Sequence, residues 1–364
     1  MEVQVDVVRY RFLLALAAVV VPLAARAAPQ YAYTAVGLMP DKSMAVSTSD
    51  SGNIAGNIYY ANRGFLYSQK GLEVIEPLPS AYGTSVNGVN NSGQVVGESG
   101  GRAFVYSKGT MTDLGFLDGS LQYAAAYAIN DAGWVAGVSN KDSYFHAFVY
   151  RDGAMRALGT LPGGRASYAY AINNRGQIAG AASDAAGRLH AVIYENGAVK
   201  DLGTLGGTIS RASGINNRGQ VTGMSYTPQG ESHAFLYANG VMRDLGSPVP
   251  GRNSSASGIN NLNQVVGTYD VGLGRAFLYD ERGGMRDLNA LVDPASGWFI
   301  HSAYSINDRQ QIVGLGCKNG EYGAVLLVPT NGGGGQAPAP GSVASPAQRA
   351  PAQSENPPCP WGYP

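Results

Sequence analysis

Apolar positions along this chain fall in runs of three to six, set apart by Asn, Asp and Gly. The runs Ala103–Tyr106, Ala147–Tyr150, Ala191–Tyr194, Ala234–Tyr237 and Ala276–Tyr279 mix aromatic with aliphatic residues, as strands do. Between them one phrase keeps returning. Its clearest form is Asn-Asn-Arg-Gly-Gln-Ile-Ala-Gly at 173–180, and related phrases stand at 49–56, 90–97, 130–137, 216–223, 260–267 and 307–314. The seven copies start 40 to 47 residues apart. Each predicts a β-hairpin. Asn or Asp at the second position suits a type I turn, and the fourth position must supply the φ > 0 that closes it. That fourth residue is Gly52, Gly93, Gly133, Gly176, Gly219, Asn263 and finally Gln310. Asn enters the left-handed region readily; Gln310 breaks the pattern. The last residue of the phrase is Gly in every copy, which reads as a close approach of two backbones.

Each phrase has the same neighbours. A stretch of small residues ending in Ile or Val precedes it, as in Ala169–Ile172, Ala212–Ile215 and Ala303–Ile306. The aromatic run follows, then a Gly-containing turn and a last short strand such as Met111–Leu114 or Met242–Leu245. Four strands repeated seven times predict an all-β fold, a seven-bladed β-propeller over residues 28–329. The ends favour a closed ring over an open solenoid. The seventh copy has its hairpin and a third strand at Ala324–Val328 but no fourth. Tyr33–Leu38, similar to the outer strand expected at Asp201–Leu205, has no hairpin of its own. Pairing the two completes the last blade and hides a sheet edge.

Segments outside the ring read differently. Arg9 and Arg11 precede the uncharged stretch Phe12–Leu23 and then Ala25-Arg26-Ala27, the order of a signal peptide. That stretch is too short to span a bilayer. Residues 1–27 are therefore expected to be removed, leaving a secreted or periplasmic protein with no integral membrane span. Residues 330–364, rich in Gly, Pro and Ala, are expected to form a disordered tail. Cys317 and Cys359 are the two cysteines, a candidate disulfide pair in an oxidising compartment and too few for a four-Cys metal site. Lys+Arg and Asp+Glu number 25 each, so the basic excess that nucleic-acid binding requires is missing. The 51 glycines are twice the usual share of about 7%, and with 45% hydrophobic residues they mark turns.

His-Ala-Phe followed by Val or Leu and Tyr at 146–150 and 233–237, the downstream Asp201–Gly207 and the Asn-rich hairpin phrase together resemble the repeat of the bacterial extracellular HAF-repeat family. The resemblance covers nearly all of residues 30–329. It implies a secreted or envelope bacterial protein and assigns no molecular role. Arg102, Arg275 and Gly64 stand where other repeats have the His, so the repeat does not require an imidazole.

His146, His190 and His233 take equivalent positions on successive repeats, which places them around a ring and too far apart to share a metal. They read as packing and hydrogen-bonding residues. Asp50, Asp131 and Asp308 in the hairpin turns, and Asp113, Asp201, Asp244 and Asp287 at the last strands, recur in the same way and read as turn chemistry. No unrepeated acid pair with glycosidase spacing stands out, nor does a Gly-x-Ser-x-Gly, phosphate-loop or His-Glu-x-x-His motif. No cofactor or metal is expected. Loop lengths carry the functional signal. Turns after the first and third strands are tight, whereas the connections at 139–145, 161–167, 205–211, 225–232, 247–255 and 268–274 are longer and varied. These share the opposite face, which carries Tyr123, Tyr144, Arg165, Tyr168, Arg211, Tyr226 and Arg252. Variable loops on a rigid scaffold make binding surfaces, and Tyr and Arg are enriched at recognition hot spots. The expectation is a non-catalytic module that binds a protein or a glycan through that face. The alternative is an envelope glycan hydrolase or lyase with unrepeated acids or His at the mouth of the central channel; a binder is expected to leave the channel uncharged.

Overall fold

The computed structural model describes residues 33–39, 42–118, 123–271 and 274–330. The expected leader, the expected tail and Cys359 lie outside the described residues. Seven antiparallel four-stranded sheets form, a seven-bladed β-propeller. In blade 4 the strands run Ser167–Ile172, Ile178–Ser183, Leu189–Glu195 and Ala198–Asp201 from the axis outward. Blades 1 to 6 each take four consecutive strands. Blade 7 takes Phe299–Ile306, Ile312–Lys318 and Glu321–Pro329, and borrows Tyr33–Met39 as its outer strand. Tyr33 faces Pro329 and Gly37 faces Val325 in that pairing, so the orphan strand closes the ring. Asp201–Leu205, expected as an outer strand, leaves the sheet after Asp201. Among the described residues no helix is long and apolar enough to cross a membrane.

A third-strand apolar residue, aromatic in five of the seven blades, is buried at the same place in each. Phe65, Phe104, Phe148, Phe235 and Phe277 are fully buried, with Val192 and Val325 in the other two blades. Burying each Phe contributes roughly 1.5–3 kcal/mol. Each faces the last Gly of the hairpin phrase across the ladder, as Phe148 faces Gly137. Glycine is obligatory there. A Cβ on Gly180 would fall 1.9 Å from the Tyr168 carbonyl oxygen, and its six equivalents meet the inner strand's carbonyl at 1.9 to 2.2 Å. A β-bulge in every inner strand accompanies the approach, at Val46, Asn87, Tyr127, Tyr170, Ser213, Ser257 and Tyr304. These bulged residues line the axial cavity.

The hairpin phrase also locks blade to blade. Its first Asn is buried in six blades, at Asn90, Asn130, Asn173, Asn216, Asn260 and Asn307. The Asn173 side-chain oxygen accepts the N–H groups of Arg175 and Gln177, each at 3.0 Å. Its Nδ2 donates to Gln177 Oε1 at 2.7 Å and to the carbonyl of Asn216, one blade on, at 2.9 Å. Asn216 and Asn260 repeat the set, which leaves no buried amide group unpaired in these copies. The second position builds a parallel ring. Asn174 Oδ1 accepts the Asp131 N–H at 3.0 Å, Asn217 that of Asn174 at 2.9 Å, Asn261 that of Asn217 at 2.8 Å and Asp308 that of Asn261 at 2.8 Å. Asp50 closes onto the Asp308 N–H at 2.7 Å, and Ser51 donates to Asn91 at 2.8 Å. The ring needs only an accepting oxygen, so Asn and Asp serve equally.

In blade 1, Ser49 replaces the first Asn, and Asn53 Nδ2 reaches the Asn90 carbonyl at 3.2 Å instead. Gly52, Gly93, Gly133, Gly176, Gly219 and Asn263 all have positive φ. Gln310 does too, at 62°, and its Oε1 accepts Gln264 Nε2 at 3.2 Å. A bond from the neighbouring blade thus holds Gln310 in a region its residue type seldom enters.

Candidate functional site

Where the repeat has His, an acid waits on the outer strand. His190 Nδ1 lies 2.8 Å from Asp201, and His233 Nδ1 lies 2.8 Å from Asp244 with Nε2 3.3 Å from Glu231. Arg275 meets Asp287 at 2.8 Å, and Arg102 bonds Asp113. In blade 1 the equivalent residue is Arg63 rather than Gly64, because Phe65 faces Gly56 as Phe148 faces Gly137. Arg63 meets Glu76 at 2.8 Å. Each pair ties the start of the third strand to the end of the fourth, and His or Arg serves because either donates to a carboxylate. Blade 3 differs. Ala157 occupies the acid's place opposite Phe148, and His146 Nε2 is buried with no partner. Burial first, and then the charge of Lys141, push the His146 pKa below its ordinary value. Among the described residues no group of three His, Cys, Asp or Glu could hold a metal.

The axis holds a cavity of about 400 Å³ lined by the inner strands of all seven blades. Asp50, Asp131 and Asp308 line its hairpin end, so the channel carries acids where a binder was expected to leave it uncharged. They are repeat residues, fixed by the amide ring. Asp131 Oδ2 accepts Nδ2 of Asn91 at 2.8 Å and of Asn174 at 2.7 Å, and Asp308 Oδ2 accepts that of Asn261 at 2.7 Å. Burial raises the Asp50 pKa above the usual carboxylate value; the hydrogen bond from the Asp308 N–H opposes this, and the charges of Asp308 and Asp131 add to it. The bulged Tyr127, Tyr170 and Tyr304 also line the cavity.

Blades 3 and 4 bring together an aromatic track that runs from the variable-loop face into the axial cavity. Tyr123 meets Phe145 edge to face with centroids 5.8 Å apart, and Phe145 lies 6.0 Å from Tyr168. Tyr168 stacks on Tyr170 at 5.8 Å, and Tyr170 lies 5.4 Å from Tyr127 in the axial cavity. The Arg211 guanidinium sits 5.6 Å over the Tyr170 ring. Beside the track, Arg165 Nη1 donates to the Tyr144 hydroxyl at 3.0 Å. Tyr144, Arg165 and Tyr168 wall a pocket of about 500 Å³ whose other linings include Gly163, Ala185 and Gly187. Tyr144 and Phe145 are 40% and 37% exposed. Burial raises the pKa of Tyr123, Tyr127 and Tyr170, with Glu98 adding at Tyr123 and Arg211 opposing at the other two. The phenols therefore remain neutral hydrogen-bond donors at physiological pH.

Of the seven rim residues expected from sequence, Tyr123, Tyr168 and Arg211 join the track, and Tyr144 and Arg165 form the pocket beside it. Tyr226 and Arg252 do not take part. The Tyr226 backbone fastens its loop, bonding Gly207 and Ile209 at 2.9 Å, and Arg252 is exposed before blade 6. Sequence reading missed Phe145, Tyr127 and Tyr170. A usable signal existed, since the bulge position is Tyr in blades 3 and 4 where blades 5 and 6 have Ser213 and Ser257.

No family model and no curated protein matches this chain. Among solved structures it is similar to the β-propeller domain of the Trilobed protease from Pyrococcus furiosus, at 10% identity and a TM-score of 0.52, over 79% of this chain and 94% of that one. That domain is described as having an open velcro topology, whereas Tyr33–Met39 closes the ring here. It is also similar to a catalytically inactive virginiamycin B lyase from Staphylococcus aureus solved with quinupristin, at 12% identity and a TM-score of 0.50, over 82% of this chain and 99% of that one. At such identities the likeness shows the propeller fold alone.

Proposed function

We propose that the protein is a secreted or periplasmic, non-catalytic binding module that holds a protein or glycan ligand on the variable-loop face, chiefly over blades 3 and 4. The run of rings Tyr123, Phe145, Tyr168, Tyr170 and Tyr127 carries this reading. It departs from the sevenfold repeat, whereas the clamp residues and the amide ring follow it. A propeller needs no such track to fold, because Ser213 and Ser257 fill the equivalent bulges. The partners that occupy His190, His233 and the recurrent acids support binding over catalysis.

The alternative, a glycan hydrolase or lyase at the channel, has one observation in its favour. Asp50 is a half-buried carboxyl with a raised pKa next to Asp308. Glycan cleavage by the wild type that disappears in Asp50→Asn would establish it. The binding reading is tested on a glycan array and by envelope pull-down, with wild type against a Tyr168→Ser/Arg211→Ser double variant of equal Tm. Retention is expected to be lost in the variant, and equal retention overturns the proposed face.

A further inference from the structure

Arg165 and Arg211 differ from the clamp arginines. Arg63, Arg102 and Arg275 each meet a carboxylate. Arg211 lies over Tyr170, and Arg165 bonds the Tyr144 hydroxyl with its guanidinium 5.8 Å from that ring. Among the described residues neither makes an ion pair. Nearby acids have their own partners: Asp184 meets Arg188 at 2.7 Å, and Glu98 accepts the Gly101 N–H. The track thus presents two guanidinium groups with no carboxylate partner beside the exposed Tyr144 and Phe145 and the partly exposed Tyr168.

Resting on the binding reading above, we infer that the track takes an anionic glycan, a chain of sugar rings bearing carboxylates. The pyranose C–H faces lie against Phe145 and Tyr168, the rings of the track nearest the open face. Ring hydroxyls meet the phenols, and carboxylates meet the guanidinium groups of Arg165 and Arg211. Guanidinium pairs carboxylate in a planar, charge-assisted fork, and holding each Arg on a ring reduces the entropy lost on capture. An acidic protein segment fits less well. Its side chains alternate about a backbone with its own hydrogen-bond needs, while Phe145 and Tyr168, with centroids 6.0 Å apart, offer apolar rings beside the two cations.

The test is affinity electrophoresis and calorimetry of the full chain against polygalacturonate, alginate and hyaluronan, each beside its methyl-esterified or carboxyl-reduced counterpart. At least one uronate polymer is expected to bind about tenfold or more tightly than its neutral counterpart, and more weakly at high salt. Arg165→Gln/Arg211→Gln should bring that ratio to about one with Tm unchanged, while Tyr168→Ala should weaken both forms about fivefold to tenfold by removing a stacking ring. Equal binding of acidic and neutral polymers by the wild type overturns the anionic class and leaves the binding face standing. Binding of none of the polymers overturns the glycan inference, and the envelope pull-down then judges the binding reading on its own.

Discussion

Tyr168 and Tyr170, two residues apart on the inner strand of blade 4, stack with their ring planes 2° apart and their centroids 5.8 Å apart. The pair depends on a glycine in the next strand. Gly180 faces Ala169, and the absence of its Cβ admits the Tyr168 carbonyl. Packing and candidate site therefore meet at one backbone contact. Gly180→Ala is expected to cost about 2–3 kcal/mol through overpacking and to weaken ligand retention as well. Urea unfolding and the pull-down read the two effects separately. Full retention in a folded Gly180→Ala chain would break the link.

The buried amide ring makes a sharp stability prediction. Asn173→Ala removes two accepted and two donated hydrogen bonds at a buried site. A loss of about 2–4 kcal/mol is expected from the stranded N–H groups and carbonyl. Asn173→Asp keeps the acceptors but sets a buried carboxylate oxygen against Gln177 Oε1 and the Asn216 carbonyl, so near neutral pH it should be no more stable than the Ala variant. Chemical denaturation orders the three.

Clamp residues should tolerate exchange. His233→Arg reproduces the pairing of Arg275 with Asp287 and is expected to change stability by less than about 0.5 kcal/mol. His233→Ala should cost about 0.2–1 kcal/mol, the range for a partly exposed pair. Neither should alter ligand retention. Lost retention in His233→Arg at unchanged Tm would give the histidine a role beyond the clamp.

Blade 3 predicts both a pH dependence and a repair. His146 has a folded-state pKa below its unfolded value, chiefly from burial, so the unfolded chain binds more protons in the window between them. Its stabilising contribution is intact above about pH 6.5 and declines as pH falls towards the folded value. His146→Gln should flatten the loss of Tm on that side of neutrality. Ala157→Asp supplies the missing acid and should raise stability by about 0.2–1 kcal/mol near pH 6. A thermal-melt series in pH checks both.

Much of this architecture was legible because the repeat states it seven times. Gly or Asn at the hairpin's fourth position announced a left-handed residue, and Tyr33–Leu38 announced the closing strand. Gln310 was opaque because its partner, Gln264, belongs to the neighbouring blade. The pairing of Asp201 with His190 was invisible for a related reason: eleven residues separate them, and only the strand register brings them together. Loop position groups Tyr123, Tyr144, Arg165 and Tyr168 of blades 3 and 4, but it does not reach the inward half of the track. Tyr127 and Tyr170 sit in predicted core strands, where an aromatic residue reads as packing until the bulge shows it at the axis. Loop position alone does not separate a residue whose backbone fastens a loop, as at Tyr226, from one that faces a ligand.

The decisive measurement is hydrogen-exchange or hydroxyl-radical footprinting of the chain with and without its captured ligand. Protection is expected in the segments carrying Tyr123, Tyr144, Phe145 and 163–170, with the hairpin turns at the opposite end unchanged. Protection confined to the turns around Asp50, Asp131 and Asp308, with the aromatic segments unaffected, would contradict the account.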